Sequence, residues 1–154
     1  MREGKINILY VDDEVNNLTS FKATFRREYN IHLAESGKEG MELLGEKEVQ
    51  VIITDQRMPE MTGIQFLESI IPSYPEPIRI LLTGYADINA VVDAINKGQV
   101  YRYISKPWNE PELRAVIENA VEVFSLREEN KTLTNNLLKV NEQLEFLLRQ
   151  KLLS

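Results

Sequence analysis

The stretch VIITDQRMPEMTG, Val51 to Gly63, runs apolar and β-branched through Ile53 and turns polar at Thr54 and Asp55. Such a start reads as a buried strand. Aspartate is a poor strand former, so the plain reading ends the strand there and gives Asp55 to a turn. The sharper reading puts Asp55 at the mouth of a site. The ends of the other strands decide between them.

Five short runs share this character: KINILYV, YNIHLAE, VQVIIT, PIRILLT and VYRYIS. The segments between them carry helical periodicity. Val15 to Glu28 places Leu18, Phe21 and Phe25 on one side. Ser36 caps the next helix, with Glu39 completing a capping box. Ile64, Phe66, Leu67, Ile70 and Ile71 mark a third helix, which PSYPEP ends. Asp87 starts a fourth, with Ile88, Val91, Val92 and Ile95 inside and Gly98 as its C-cap. Asn109 caps a fifth, with Glu112 at the capping-box position and Pro111 in the first turn. Strands alternating with helices predict an α/β fold, a doubly wound five-stranded parallel sheet with helices on both faces.

Composition narrows the class. The chain has 154 residues, 43% hydrophobic and 27% charged, which is globular and not disordered. With no cysteine, disulfides and thiolate metal sites are excluded. No apolar run approaches membrane-spanning length and the N-terminus lacks a signal peptide's apolar core, so a cytoplasmic address is expected. The net charge is −6. From Ala120 onward five acids balance five bases, so the whole deficit lies earlier. That argues against direct nucleic-acid binding, which needs a basic footprint. His32, the sole histidine, lies between Ile31 and Leu33 and reads as a strand-face residue, leaving no candidate for a histidine-dependent triad.

After Pro111 there is no further glycine or proline, so the fifth helix can run into the tail. A heptad emerges there, with Val123, Asn130, Leu137, Leu144 and Lys151 at a and Leu126, Leu133, Val140 and Leu147 at d. This seam predicts a coiled coil forming a parallel homodimer, with Asn130 fixing register. The competing reading, a helix packed back on its own domain, draws on Leu138, Phe146 and Leu148, which lie off the seam. The domain organisation is then residues 5–122 as a globular domain and 123–154 as a coiled-coil extension, or a linker to an output domain beyond residue 154.

In a doubly wound sheet, sites form outside the carboxyl ends of the strands, where strand order reverses. Asp12, Asp13 and Glu14 stand there after the first strand and Asp55 after the third. Thr83 and Gly84 follow the fourth, and Lys106 and Pro107 the fifth. Each alone has an ordinary explanation as a cap, a turn or a solvated loop. Together they put carboxylates, a hydroxyl and an ammonium on one edge. In the flavodoxin-like order 2-1-3-4-5, the first and third strands are neighbours and Asp12, Asp13 and Asp55 meet. Three ionised carboxylates need counter-charge. Lys106 supplies one unit and a hard divalent ion two more, and Mg²⁺ suits a site that leaves room for water and phosphate oxygens. A carboxylate so placed can accept a phosphoryl group. Asp55, alone at its strand end, is the nucleophile, and the Asp12–Asp13 pair suits the metal.

The set YVDDE, IITDQRMPEMTG, LLTGYAD and YRYISKPW resembles the receiver domain of two-component response regulators over residues 5 to 122. The order 2-1-3-4-5 is that family's own, so topology and resemblance are not independent. The resemblance implies that Asp55 is the phosphoacceptor. It implies that Asp13, Asp55 and the Arg57 backbone carbonyl hold Mg²⁺, with Asp12 acting largely through water. It gives Thr83 and Lys106 to the phosphoryl group, makes the Lys106–Pro107 bond cis, has Gly84 leave room for the donor, and makes Tyr103 an aromatic switch. The partner implied is a sensor histidine kinase. The wording DQRMPEMTG with YRYISKPW also resembles receivers attached to hydrogenase-type transcription regulators, cyclic-di-GMP phosphodiesterases and nucleotide cyclases.

Two other classes compete. Aspartyl phosphatases of the haloacid dehalogenase type also use Mg²⁺ and an Asp nucleophile, but place an acid/base Asp two residues later, where this chain has Arg57. The other is a phosphorylation-independent dimeric scaffold with a vestigial pocket. The expected function is a phosphorylation-controlled signalling switch and not a turnover enzyme. Arg57 and Tyr85, which flank the approach of water in receivers, predict a long-lived phosphoryl group.

Overall fold

In the computed structural model, which describes residues 4–84 and 88–153, the elements alternate throughout. They are β1 (Asn7–Val11), α1 (Val15–Phe25), β2 (Asn30–Ala34), α2 (Gly37–Glu46), β3 (Val51–Asp55), α3 (Gly63–Ile70), β4 (Ile78–Thr83), α4 (Ile88–Asn96), β5 (Arg102–Ser105) and α5 (Glu110–Leu153). All strand pairs are parallel and the order is β2-β1-β3-β4-β5, as expected.

The two-residue period of the strands sorts their side chains into two cores. Ile8, Tyr10, Ile53, Ile80 and Ile104 face one side and pack with Phe21, Phe25, Leu113, Ile117 and Phe124 of α1 and α5. Leu9, Val11, Ile52 and Leu81 face the other and pack with Phe66, Leu67, Val91 and Ala94 of α3 and α4. A strand buried on both faces shows no polar alternation. That is why β3 reads as a continuous apolar run.

Several local readings are refined. α1 ends at Phe25 instead of Glu28, because the Glu28 and Tyr29 amides both turn back to the Phe25 carbonyl before Asn30 pairs with Ile6. Ser36 caps α2 by accepting from the Glu39 amide, while the Glu39 carboxylate accepts from the Glu35 amide, one residue before the cap. On α4, Val92 is 45% exposed and Ala94 is buried in its place. One step of a helix turns a side chain about 100°, and α4 docks with Val91 and Ala94 at the centre of its buried face, which leaves Val92 at the rim. The expected start at Asp87 lies outside the described residues. Gly98 adopts φ +76°, the left-handed conformation its C-cap reading requires. At Asn109 the side chain accepts from the Glu112 amide, as expected of an N-cap.

α5 continues without a break for 44 residues, about 66 Å at 1.5 Å per residue. Phe124 is its last buried residue, and every residue from Ser125 to Leu153 is exposed. The tail therefore does not pack back on its own sheet. Val123, counted in the seam, is half-buried against the α1–α5 core, so the a/d surface is fully exposed only from Leu126. Among the described residues no helix is long and apolar enough to cross a membrane.

Candidate functional site

The strand register sets the site. Asp55 closes β3 opposite Leu82, Thr83 closes β4 opposite Ser105, and Asp12 follows β1. Their side chains therefore emerge together at the carboxyl edge. Asp55 is only 4% exposed, and its Oδ1 accepts from Lys106 Nζ at 2.8 Å and from the Gln56 amide at 2.9 Å. Among the described residues no donor meets its Oδ2. The Lys106 amide donates to the Thr83 carbonyl, and the Lys106–Pro107 bond is cis.

Asp12 is fully buried and fully engaged. Its Oδ1 accepts from the Glu14 amide at 3.0 Å, and its Oδ2 from Asn17 Nδ2 at 3.0 Å and the Tyr10 hydroxyl at 3.3 Å. Tyr10 in turn stacks on Phe21, with ring centroids 4.2 Å apart. Asp13 is exposed. One oxygen from each of Asp12, Asp13 and Asp55 lies within 4.8 Å of the others.

Charge is under tension there. Burial pushes the Asp55 carboxyl above the usual range, and Asp12 adds to this, while the Lys106 hydrogen bond and charge only partly offset it. For Lys106, burial pulls the ammonium down, but the hydrogen bond and charge of Asp55 outweigh it and leave the group above its ordinary value. Both partners move up for different reasons: burial raises Asp55, and the neighbouring carboxylates, Asp55 first, raise Lys106. The all-oxygen donor set, with no histidine or thiol in it, fits a hard divalent ion such as Mg²⁺.

Thr83 is buried, and its hydroxyl donates to the Gly84 carbonyl at 3.1 Å. Gly84 is exposed, and a Cβ there would meet open space. Tyr103 is half-buried and packs against the α3–α4 core. It shares a concave face with Ile95, Tyr101, Glu112, Ala115 and Val116. The Arg57 side chain is exposed and Tyr85 lies outside the described residues. The structure thus brings Asp12, Asp13, Asp55 and Lys106 into one pocket, with Thr83 at the adjoining strand end. Tyr103 is away from it, on the α4–β5–α5 face.

Sequence reasoning missed Tyr10, Asn17 and Gln56. Tyr10 reads as one more apolar strand residue and Asn17 as a helix-surface amide. Gln56 gives no local signal, since its partner is Ile64, eight residues on.

A doubly wound α/β module with a hard-cation pocket at the strand-order reversal is what fold and geometry define. The family model for the response regulator receiver domain matches residues 8–118. The chain belongs to that family of two-component signalling domains. It is 34% identical over 127 residues to the hydrogenase transcriptional regulatory protein HoxA of Cupriavidus necator, covering 82% of this chain and 26% of that protein. The chain thus spans about a quarter of the length of such curated relatives. Among solved structures, it resembles the signal receiver domain of an HD domain-containing protein from Pseudomonas fluorescens Pf-5, with TM-score 0.77, 33% identity and coverage of 84% and 96% of the two chains. It also resembles a structure described as adenylate cyclase from Rhodopirellula baltica, with TM-score 0.83, 27% identity and coverage of 86% and 98%.

Proposed function

We propose that this chain is a phosphorylation-controlled switch in which Asp55 accepts a phosphoryl group from a sensor histidine kinase. The observation that carries the reading is the buried Asp55 carboxylate, bonded to Lys106 at 2.8 Å and grouped with Asp12 and Asp13. An Asp55 oxygen attacks phosphorus, the phosphorus–nitrogen bond of the donor breaks, and the departing imidazole keeps the electron pair and takes a proton. Asp13, Asp55 and the Arg57 carbonyl would hold Mg²⁺. Asp12, whose two oxygens already accept three hydrogen bonds, suits a water-mediated role. When bound, the ion supplies positive charge for the phosphoryl oxygens. Lys106 stays beside the new phosphoryl group, and Thr83 turns its hydroxyl from the Gly84 carbonyl toward it. Tyr103 follows, and the α4–β5–α5 face changes its preferred partners.

Arg57 supplies no acid/base where a phosphatase of the dehalogenase type has its aspartate, so the phosphoryl group persists as a signal. Residues 5–122 act as the receiver. Residues 123–154 extend α5, and beyond Val123 and Phe124, which stay against the receiver core, Leu126, Asn130, Leu133, Leu137, Val140, Leu144 and Leu147 form the seam of a parallel coiled-coil dimer. The exposure of Leu126, Leu133, Leu137, Leu144 and Leu147 in the single chain supports this. The length of the curated relatives supports a fused output domain, the acidic balance supports a role without nucleic-acid contact by this segment, and a cysteine-free chain fits a cytoplasmic one. Trapping with beryllofluoride and Mg²⁺ tests the switch against a scaffold. The amide spectrum of residues around Thr83 and Tyr103 should move on trapping, and an unchanged spectrum would favour the scaffold.

A further inference from the structure

Gln56 is buried, at 7% exposure, in a loop that is otherwise largely exposed or half-buried. Its groups join three parts of the site. The amide N–H is shared between the Leu82 carbonyl on β4, at 3.0 Å, and Asp55 Oδ1, at 2.9 Å. Its carbonyl accepts from the Gly63 amide at 2.9 Å, and its side-chain Oε1 accepts from the Ile64 amide at 2.9 Å. Because Ile64 presents a backbone donor, the amide oxygen and not the nitrogen must face it.

These bonds satisfy the first two orphan amides of α3, and Thr62 Oγ1 takes the third, from Gln65. Gln56 is thus a cap supplied from seven residues before the helix. It closes the loop from Gln56 to Gly63, which carries the Arg57 carbonyl, against the helix and the Asp55 carboxylate. Opposite it, Gly63 lets the helix start close enough to make the bonds, since a Cβ there would lie 2.3 Å from the Asp55 carbonyl oxygen.

We infer that Gln56 is a positioning residue for the divalent-ion site, holding the Arg57 carbonyl at the pocket through its side-chain bond to the Ile64 amide. This rests on the Mg²⁺ and phosphoacceptor reading above. Gln56 touches neither the ion nor the phosphoryl group; it fixes the loop that does. Methionine fills the same space and lacks the acceptor, asparagine is one methylene too short to reach Ile64, and glutamate keeps an acceptor at full reach.

The test is calorimetric titration of Mg²⁺ into the full chain as wild type, Gln56→Met, Gln56→Asn and Gln56→Glu, below each variant's melting range. Loss of an outer-shell partner of this kind costs roughly tenfold or more in metal affinity, expected for Met and Asn, while Glu stays within about twofold of wild type or binds tighter. Acetyl phosphate labelling of the Met variant should recover at saturating Mg²⁺, which a damaged fold would not allow. Should the Met variant not fold, the Asn variant carries the comparison. Wild-type binding with Met and Asn affinities unchanged would overturn the role of Gln56 alone, as would an equal loss in Glu. A wild type that takes up no Mg²⁺ would overturn the metal-site reading itself.

Discussion

Gly63→Ala should weaken this protein, although alanine is the better helix former. Gly63 is the first residue of α3, and its φ is not in the left-handed region. Its requirement is space. An added Cβ would lie 2.3 Å from the Asp55 carbonyl oxygen and 2.8 Å from Leu81 Cδ1. Restoring ordinary contact moves the helix start outward by about 1 Å, which stretches the Gly63 and Ile64 bonds to Gln56 past the useful range. Two bonds at about 1 kcal/mol each are lost. Crowding adds about 1–3 kcal/mol, and the propensity gain returns about 1 kcal/mol. The net loss is about 2–4 kcal/mol, and at about 2–4 °C per kcal/mol for a chain of this size the melting point falls by about 5–15 °C. Trp108, the sole tryptophan, is half-buried beside the α1–α5 core, so its fluorescence follows receiver unfolding and not the tail. A variant as stable as wild type would refute the close approach of α3 to Asp55 and the cap built on it.

Three further outcomes are expected. Asp55 has its pKa raised chiefly by burial, so just above the ordinary carboxylate range the folded state holds its proton more often than the unfolded state. Stability then falls as pH rises through that window, and the ionised group is a standing cost above it. Without divalent ions, Asp55→Asn should therefore melt above wild type at about pH 7, with the gap closing by about pH 4; a variant that melts lower at neutral pH contradicts this. Leu133→Glu with Leu137→Glu puts charges at adjacent seam positions and should convert a light-scattering dimer to monomer, while a wild type already monomeric at high micromolar concentration contradicts the coil. Arg57→Asn with Tyr85→Glu introduces groups that can hold a water in line with the phosphorus, and should shorten the phosphoryl lifetime of a slow wild type. Wild-type loss within seconds that the double variant does not hasten would contradict the screening role.

What could be read in advance follows from the range of the interactions. Strands buried on both faces write themselves as apolar runs, so β1, β3 and β4 are visible in the sequence, and with them the residues at their ends. Asp12, Asp13, Asp55, Thr83 and Lys106 are legible because topology alone brings strand ends to one edge. Val92 reads as inside because Ile88, Val91, Val92 and Ile95 form one apolar stripe over two turns of α4; which edge of such a stripe meets the sheet is set by docking, and here the buried residues are Val91 and Ala94. The Thr62–Gln65 capping box of α3 is local and could have been found from its spacing. Gln56, Tyr10 and Asn17 could not, because a buried amide or phenol is recognised only by the partner it meets after folding. The end of the domain hides inside α5. The same helix buries Leu113, Ile117, Ala120 and Phe124 and then leaves the sheet with no change in backbone to mark it.

The most direct test of the central claim is intact mass after incubation with acetyl phosphate and Mg²⁺, comparing wild type with Asp55→Asn. The account predicts a single added phosphoryl group on the wild type and none on the variant. An unlabelled wild type, or labelling that persists when Asp55 is replaced, would contradict it.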